Sequence, residues 1–288
     1  GRIRFAVPVL WTIGFMVTFV LGGLTGVLLA VPPVDWQVHN SLFLVAHFHH
    51  VIIPGVVFAA FAGYVYWFPK AFGFTLDERW GRRAFWCWFI GFHVAFMPLY
   101  VVGLMGMTRR LQHYDVVSWQ PWLVVAAAGA VIILAGVACQ ILQLVVSIRD
   151  RAQHRDLTGD PWNGRTLEWS TISPPPAWNF AVLPRVAERD AYWAQKQRAR
   201  ATPDQPAAAP EYSSIESPTN SATGVVTAFF AVVTGFALIW HIWWMASLGV
   251  FGAFVTLLAF AFRDKEEVEI PAVALARFDR SRKMEIHS

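Results

Sequence analysis

An all-α, polytopic bundle of membrane-spanning helices is the fold class this sequence predicts, and three observations predict it. Hydrophobic residues make up 56% of the chain and charged residues only 15%, with a mean hydropathy of +0.44, which leaves too little polar surface for a water-facing exterior. Five long stretches, 5–34, 36–69, 84–108, 116–148 and 217–262, contain no Asp, Glu, Lys or Arg. Each exceeds the roughly 20 apolar residues that cross a bilayer as a helix, and the last is long enough for two short spans. Six spans are expected, with the final turn at 244–248.

Taken in order, 1–148 should hold four spans, one per stretch. The chain begins at Gly1, and Arg2 and Arg4 lead into the first span without a signal-peptide cleavage pattern, so a piece of a longer protein is expected. Arg2, Arg4, Lys70, Arg79, Arg82, Arg83, Arg149, Arg151, Arg155, Arg263 and Lys265 then fall on one side of the membrane. Short loops rich in Lys and Arg stay inside, so that side is expected to be the cytoplasm. Only Arg109 and Arg110 lie on the other side, and they need their own explanation.

Residues 149–216 read as a cytoplasmic connection, extended over the membrane domain, with a Pro/Ala-rich linker at 199–214. Residues 217–262 read as two further spans and 263–288 as a cytoplasmic tail. The net charge of +4 sits mostly beside the spans, where it suits an anionic lipid surface. No basic patch is interleaved with aromatics, so nucleic acid is not an expected partner. Cys87 and Cys139 lie in apolar stretches without a CxxC pattern and are read as inert packing residues.

The second stretch contains SLFLVAHFHHVI, which places His47, His49 and His50 at membrane depth. An ionisable residue there is costly and points to function. Successive helical residues rotate by about 100°, so His47 and His49 point roughly 200° apart and cannot share one metal. Two imidazoles on opposite faces suit two iron centres flanking one helix, with Phe48 between them. Packing against carbonyls is the alternative for each, and is preferred for His50, His93 and His241.

HNSLFLVAHFHHVIIPGVVFAAFAGYVYWFPKAFGF, FMPLYVVGLMGMTRRLQHYD and DPWNGRTLEWSTISPPPAWNF together resemble subunit I of the haem–copper oxidases. The resemblance implies a low-spin haem b, a high-spin haem o or a paired with copper, and reduction of dioxygen to water with proton pumping. It assigns His47 to the high-spin iron and His49 to the low-spin iron. Arg109 and Arg110 would hold haem propionates on the outer side, as forked guanidinium groups suit carboxylates. His39 matches a position near the high-spin haem propionate, and Asn40 stands where many relatives have Asp beside a further metal.

GFALIWHIWW, FRDKEEVEIPAVALA and SIRDRAQHRDLTGDPWNGRTLEW look like the bo-type ubiquinol oxidase branch, which makes ubiquinol the expected electron donor; His50 stands where that branch is expected to have Asn. The resemblance also implies the bacterial inner membrane, oxidase subunits II, III and IV as partners, and the N-terminal half of subunit I. That half would carry the copper ligands, the second low-spin ligand, the proton channels and the quinone site, so the chain alone is expected to be inactive. A cytochrome c oxidase of the same superfamily and, from another class, a proton-coupled transporter are the competing readings.

Overall fold

The computed structural model describes residues 3–202, 210–263 and 267–287, with side chains through Ser281. Arg2, Lys265 and residues 203–209 of the Pro/Ala-rich linker lie outside the described residues. The chain divides into two compact units, Gly1–Pro175 and Pro176–Ser288.

In the first unit, α1 (Val7–Leu29) has proline in its first turn, where a missing N–H leaves no bond unmade. Its buried residues Val7, Trp11, Gly14, Thr18 and Gly22 recur at three- and four-residue intervals and form one stripe. Val20, Leu24 and Val27 are exposed on the rest of the helix, as suits a surface facing lipid. A short helix, α2 (Pro32–Val38), follows. The second span therefore starts at Leu42 rather than at 36, because the Ser41 hydroxyl accepts from Phe43 N at 3.1 Å and caps a new helix.

That span is built from α3 (Leu42–Ile52), a π-helical turn (Ile53–Phe58) and α4 (Ala59–Phe72). Pro54 sits in the π turn and has no N–H for the carbonyl of His50, so the ladder loosens just after the histidines. Helix α5 (Glu78–Leu104) is capped by Asp77, which accepts from Trp80 N at 2.7 Å. Its neighbour α6 (Gln120–Arg149) approaches so closely that a Cβ on Gly129 would lie 2.2 Å from Ala95 N. Small residues thus set this helix contact, the usual device where no hydrophobic force separates helix from lipid. Trp11 anchors the apolar centre, 5.2 Å from both Phe58 and Phe85 between ring centroids.

The polar segment after α6 is folded rather than simply extended. Lys70, buried at the end of α4, donates to Gly159 O at 2.8 Å and Thr171 O at 2.7 Å, and lies 5.3 Å from the Trp169 ring. Asp156 Oδ1 accepts from Gly159 N at 3.0 Å inside the same loop. Lys70→Met leaves one buried and one part-buried carbonyl without this donor, at about 1–3 kcal/mol for the buried one and less for the other. Proteolytic cleavage within 156–174 should accelerate roughly a hundredfold, for about 3 kcal/mol lost locally. Cleavage at the wild-type rate would show that Lys70 does not hold the loop.

The second unit contains α7 (Ala191–Ala201), a helix inside the stretch expected to be extended connection. Strand β1 (Ile215–Pro218), α8 (Thr223–Ile239), α9 (Trp243–Ala261), β2 (Glu267–Ile270) and α10 (Ala272–His287) follow. The strands pair antiparallel, Ile215 opposite Ile270 and Pro218 opposite Glu267, closing the base of the α8–α9 hairpin. The hairpin turns at 240–242, with His241 left-handed at φ 56°. This corrects the expected turn at 244–248, which is helical. Hydropathy runs unbroken through Trp243 and Trp244, and only the backbone break at His241 marks the reversal.

Among the described residues, five helical segments are long and apolar enough to cross a membrane: Val7–Leu29, Leu42–Phe72, Glu78–Leu104, Val117–Arg149 and Trp243–Ala261. Thr223–Ile239, with 17 residues, is shorter; at 1.5 Å per residue it is about 26 Å long against a hydrocarbon core of about 30 Å. The predicted class stands, a mostly helical multi-pass membrane protein. Five long spans and one shorter apolar helix replace the expected six, and a two-stranded ribbon is added.

Candidate functional site

Helix α3 carries His47, His49 and His50 at its centre, and its neighbours receive them differently. His47 faces α1: its Nδ1 lies 3.1 Å from Gly22 O and 3.0 Å from Thr25 Oγ1. A Cβ on Gly26 would lie 2.9 Å from His47 Cε1, so the glycine leaves the space that the ring occupies. His49 faces α5, stacked on Phe96 at 4.3 Å and 23°, with Nδ1 2.7 Å from Val45 O. Phe48, between them in sequence, lies 4.4 Å from the His49 ring.

A carbonyl oxygen can only accept, so in each of these rings Nδ1 carries a proton, and in the neutral ring the lone pair is then on Nε2. That is the tautomer a metal ligand needs, with a second partner fixing ring orientation. His50 and His93 have the same arrangement, with Nδ1 at 2.8 Å from Ala46 O and 2.7 Å from Phe89 O. His50 differs in being fully buried, against Phe92 at 4.9 Å and His93 at 5.9 Å, and its Nε2 has no hydrogen-bond partner among the described residues. His47, Phe48 and His49 are only half-buried.

At the N-terminal end of α3 the structure gathers the remaining predicted residues. Ser41 bridges Thr108, Arg109 N donates to Asn40 O at 3.1 Å, and Arg109 Nε donates to Asn40 Oδ1 at 3.0 Å. Arg110 is left-handed at φ 69° and exposed. His39 caps the C-terminus of α2, its Nδ1 2.8 Å from Asp35 O. His39, Arg109 and Arg110 thus lie beside one another at the end of the helix that bears His47 and His49. His241 stands in the α8–α9 turn, and Cys87 and Cys139 carry free thiols.

The donor set fits an axial ligand for iron: half-buried imidazoles whose Nδ1 is committed to a carbonyl, which leaves Nε2 as the ligating atom, with a glycine cradle beside one of them. It does not fit copper. Among the described residues no group of three or more His, Cys, Asp or Glu side chains converges.

Residues 1–132 match the family model described as "Cytochrome C and Quinol oxidase polypeptide I". A "Ubiquinol oxidase subunit 1" of Acetobacter aceti is 51% identical over 97% of this chain and 42% of its own length. The chain belongs to this family. A "Probable cytochrome c oxidase subunit 1" of Bradyrhizobium diazoefficiens is 64% identical, again over 97% of this chain and 42% of its own. A "Cytochrome bo(3) ubiquinol oxidase subunit 1" of Buchnera aphidicola is 55% identical over 85% and 37%. The chain therefore spans well under half the length of the family members it matches, and the C-terminal hairpin lies beyond the family-model region but within the matched relatives.

Sequence reasoning missed the partners of His47. Gly22, Thr25 and Gly26 come from α1, and Tyr100, whose hydroxyl lies 3.0 Å from Thr25 Oγ1 rather than against the imidazole, comes from α5. The spacing Gly22-xxx-Gly26 in an apolar span is the signal that could have found them, since small residues four apart let a second helix approach.

Proposed function

We propose that this chain is the part of subunit I of a respiratory terminal oxidase that supplies one axial ligand to each of two haem irons. His47 serves a high-spin haem, o or a, and His49 a low-spin haem b, with Phe48 between them. One observation carries the reading: two imidazoles on one helix face different neighbours, and both have Nδ1 committed to a carbonyl and Nε2 open. Arg109, Arg110 and His39 receive the propionates at the outer end of the same helix.

The bound haems supply the redox chemistry. The protein's own residues orient and insulate them. Val45 O and Gly22 O fix the imidazole tautomers, Phe96 fixes the plane of His49, and the exposed apolar side chains of the spans exclude water by lying in lipid. The guanidinium groups of Arg109 and Arg110 neutralise carboxylates. Replacing both by Gln should lower the midpoint potentials of both haems, because removing positive charge favours the oxidised form. A redox titration with unchanged potentials would remove these residues from the site.

The complete subunit, with copper and the second low-spin ligand outside this chain, would oxidise ubiquinol and reduce dioxygen to water with proton pumping. Its partners would be subunits II, III and IV in the bacterial inner membrane. Residues 1–148 form the core spans, 217–262 the added hairpin, and 149–216 and the tail from 263 lie in the cytoplasm, on the side where most of the Lys and Arg flanking the spans fall. Relatives named ubiquinol oxidase that match from the first span through the C-terminal hairpin support quinol as donor. The Bradyrhizobium relative's name favours the second reading, cytochrome c as donor, and it matches the same hairpin. Assaying the complete complex with reduced ubiquinol and with reduced cytochrome c separates the two: oxidation of quinol alone supports the first, of cytochrome c alone the second. A complex without haem absorbance would instead support a proton-coupled transporter.

A further inference from the structure

We propose that Thr25 and Tyr100 form a two-hydroxyl relay that positions the His47 imidazole and sets how strongly its Nδ1–H is hydrogen-bonded, and so how strong a donor its Nε2 is. The inference rests on the reading of His47 as an iron ligand. It assigns two positioning residues, one on α1 and one on α5, to a group on α3.

One assignment of the protons satisfies all three contacts of Thr25 Oγ1 at once. Thr25 Oγ1 lies 2.8 Å from Gly22 O, to which it donates its only proton. The other two contacts of Oγ1, Tyr100 OH at 3.0 Å and His47 Nδ1 at 3.0 Å, must therefore be donors to it. Oγ1 then uses one hydrogen and both lone pairs, its full capacity. His47 Nδ1–H is shared between this hydroxyl and Gly22 O at 3.1 Å.

Packing holds the relay in place. The Tyr100 ring meets Phe43 edge-on at 4.9 Å and 72° and lies 5.2 Å from the His50 ring. Gly22 and Gly26 flank Thr25 on α1, and a Cβ on Gly22 would lie 2.8 Å from the His50 carbonyl oxygen. Any larger residue there would push α1 away from His47.

The electronic consequence follows from hydrogen-bond coupling. An oxygen that already accepts one proton accepts a second less strongly. The phenol of Tyr100 thereby weakens the pull of Thr25 on His47 Nδ1–H. Without it, Nδ1–H would be drawn further toward Oγ1, the ring would gain imidazolate character, and Nε2 would bind iron more strongly, as outer partners of ligating histidines generally tune them.

The test is resonance Raman spectroscopy of the reduced, complete oxidase containing this chain, reading the iron–histidine stretch of the high-spin haem. Tyr100→Phe should raise its frequency. In a Thr25→Val background the same Tyr100→Phe change should produce no further shift, because the tyrosine acts only through the hydroxyl; Thr25→Ser, which keeps that hydroxyl, should retain the wild-type frequency and the Tyr100→Phe response. A frequency unmoved by Tyr100→Phe, or moved equally in both backgrounds, overturns the relay. His47→Gly distinguishes the two levels of the argument. If the band survives His47→Gly, the ligand assignment itself fails and the relay with it; if the band is lost there yet insensitive to Tyr100, only the relay fails.

Discussion

Replacing His49 by Ala in the complete oxidase is expected to erase the low-spin haem band from the reduced-minus-oxidised spectrum and to leave carbon monoxide binding at the high-spin haem intact. The ring of His49 is held by Val45 O through Nδ1 and by Phe96 on its face, so its Nε2 presents in one direction. No neighbour can replace it. His50 is one residue on, rotated by about 100°, and its ring is buried against Phe92. Loss of an outer partner of a ligand costs roughly 10–100-fold in affinity or activity, and loss of the ligand itself should exceed that, with turnover falling below the hundredth part of wild type. An unchanged low-spin band would make His49 a packing residue.

The second large effect is expected at His47. His47→Ala should abolish carbon monoxide binding at the high-spin haem while the low-spin band persists, since the two rings face α1 and α5 respectively. Gly26→Leu should reproduce the loss without touching the histidine, because the new Cβ would stand 2.9 Å from His47 Cε1 and displace the ring. His50→Asn is the control: it should leave both spectral signatures in place, as His50 Nε2 lies inside the packing of α3 against α5. Loss of both bands in His50→Asn would place that residue in the ligand set and overturn the two-histidine assignment.

The positions where sequence reasoning and structure part company have common physical causes. The second span was expected to begin at 36, yet Pro32 and Pro33 open a separate short helix and Ser41 caps the next. Residues 36–41 are as free of charge as the helix that follows them, so hydropathy is blind to the break at Ser41, whereas capping chemistry is not. The α8–α9 turn shifts to 240–242 for the same reason: Trp243 and Trp244 are as apolar within α9 as they would be in a turn. Helix α7 arises in a polar stretch, AYWAQKQRARA, whose Ala, Gln, Lys and Arg favour helix although no apolar face announces it.

The candidate site was legible unevenly. His39, Arg109 and Arg110 were singled out separately, and the structure brings them together through the Ser41–Thr108 bridge and the bond from Arg109 to Asn40. Asn40, noted in the sequence only as a departure from relatives, is the side chain that receives Arg109. The division of His47 and His49 between two neighbours follows from helical periodicity alone.

What the sequence by itself determined is therefore local: long charge-free stretches that must cross a membrane, and two imidazoles two residues apart on one of them, which the 100° step sends to different sides. Only the tertiary structure decided what supports each imidazole. Thr25 is 22 residues before His47, and Tyr100 lies 75 residues after Thr25, beyond His47 in the chain. They meet because Gly22 and Gly26 let α1 lie against α3, and Gly103 lets α5 do so from another side. Close approach depends on the absence of side chains on facing surfaces of separate helices, a relation between distant residues that no local pattern of apolar and polar positions encodes.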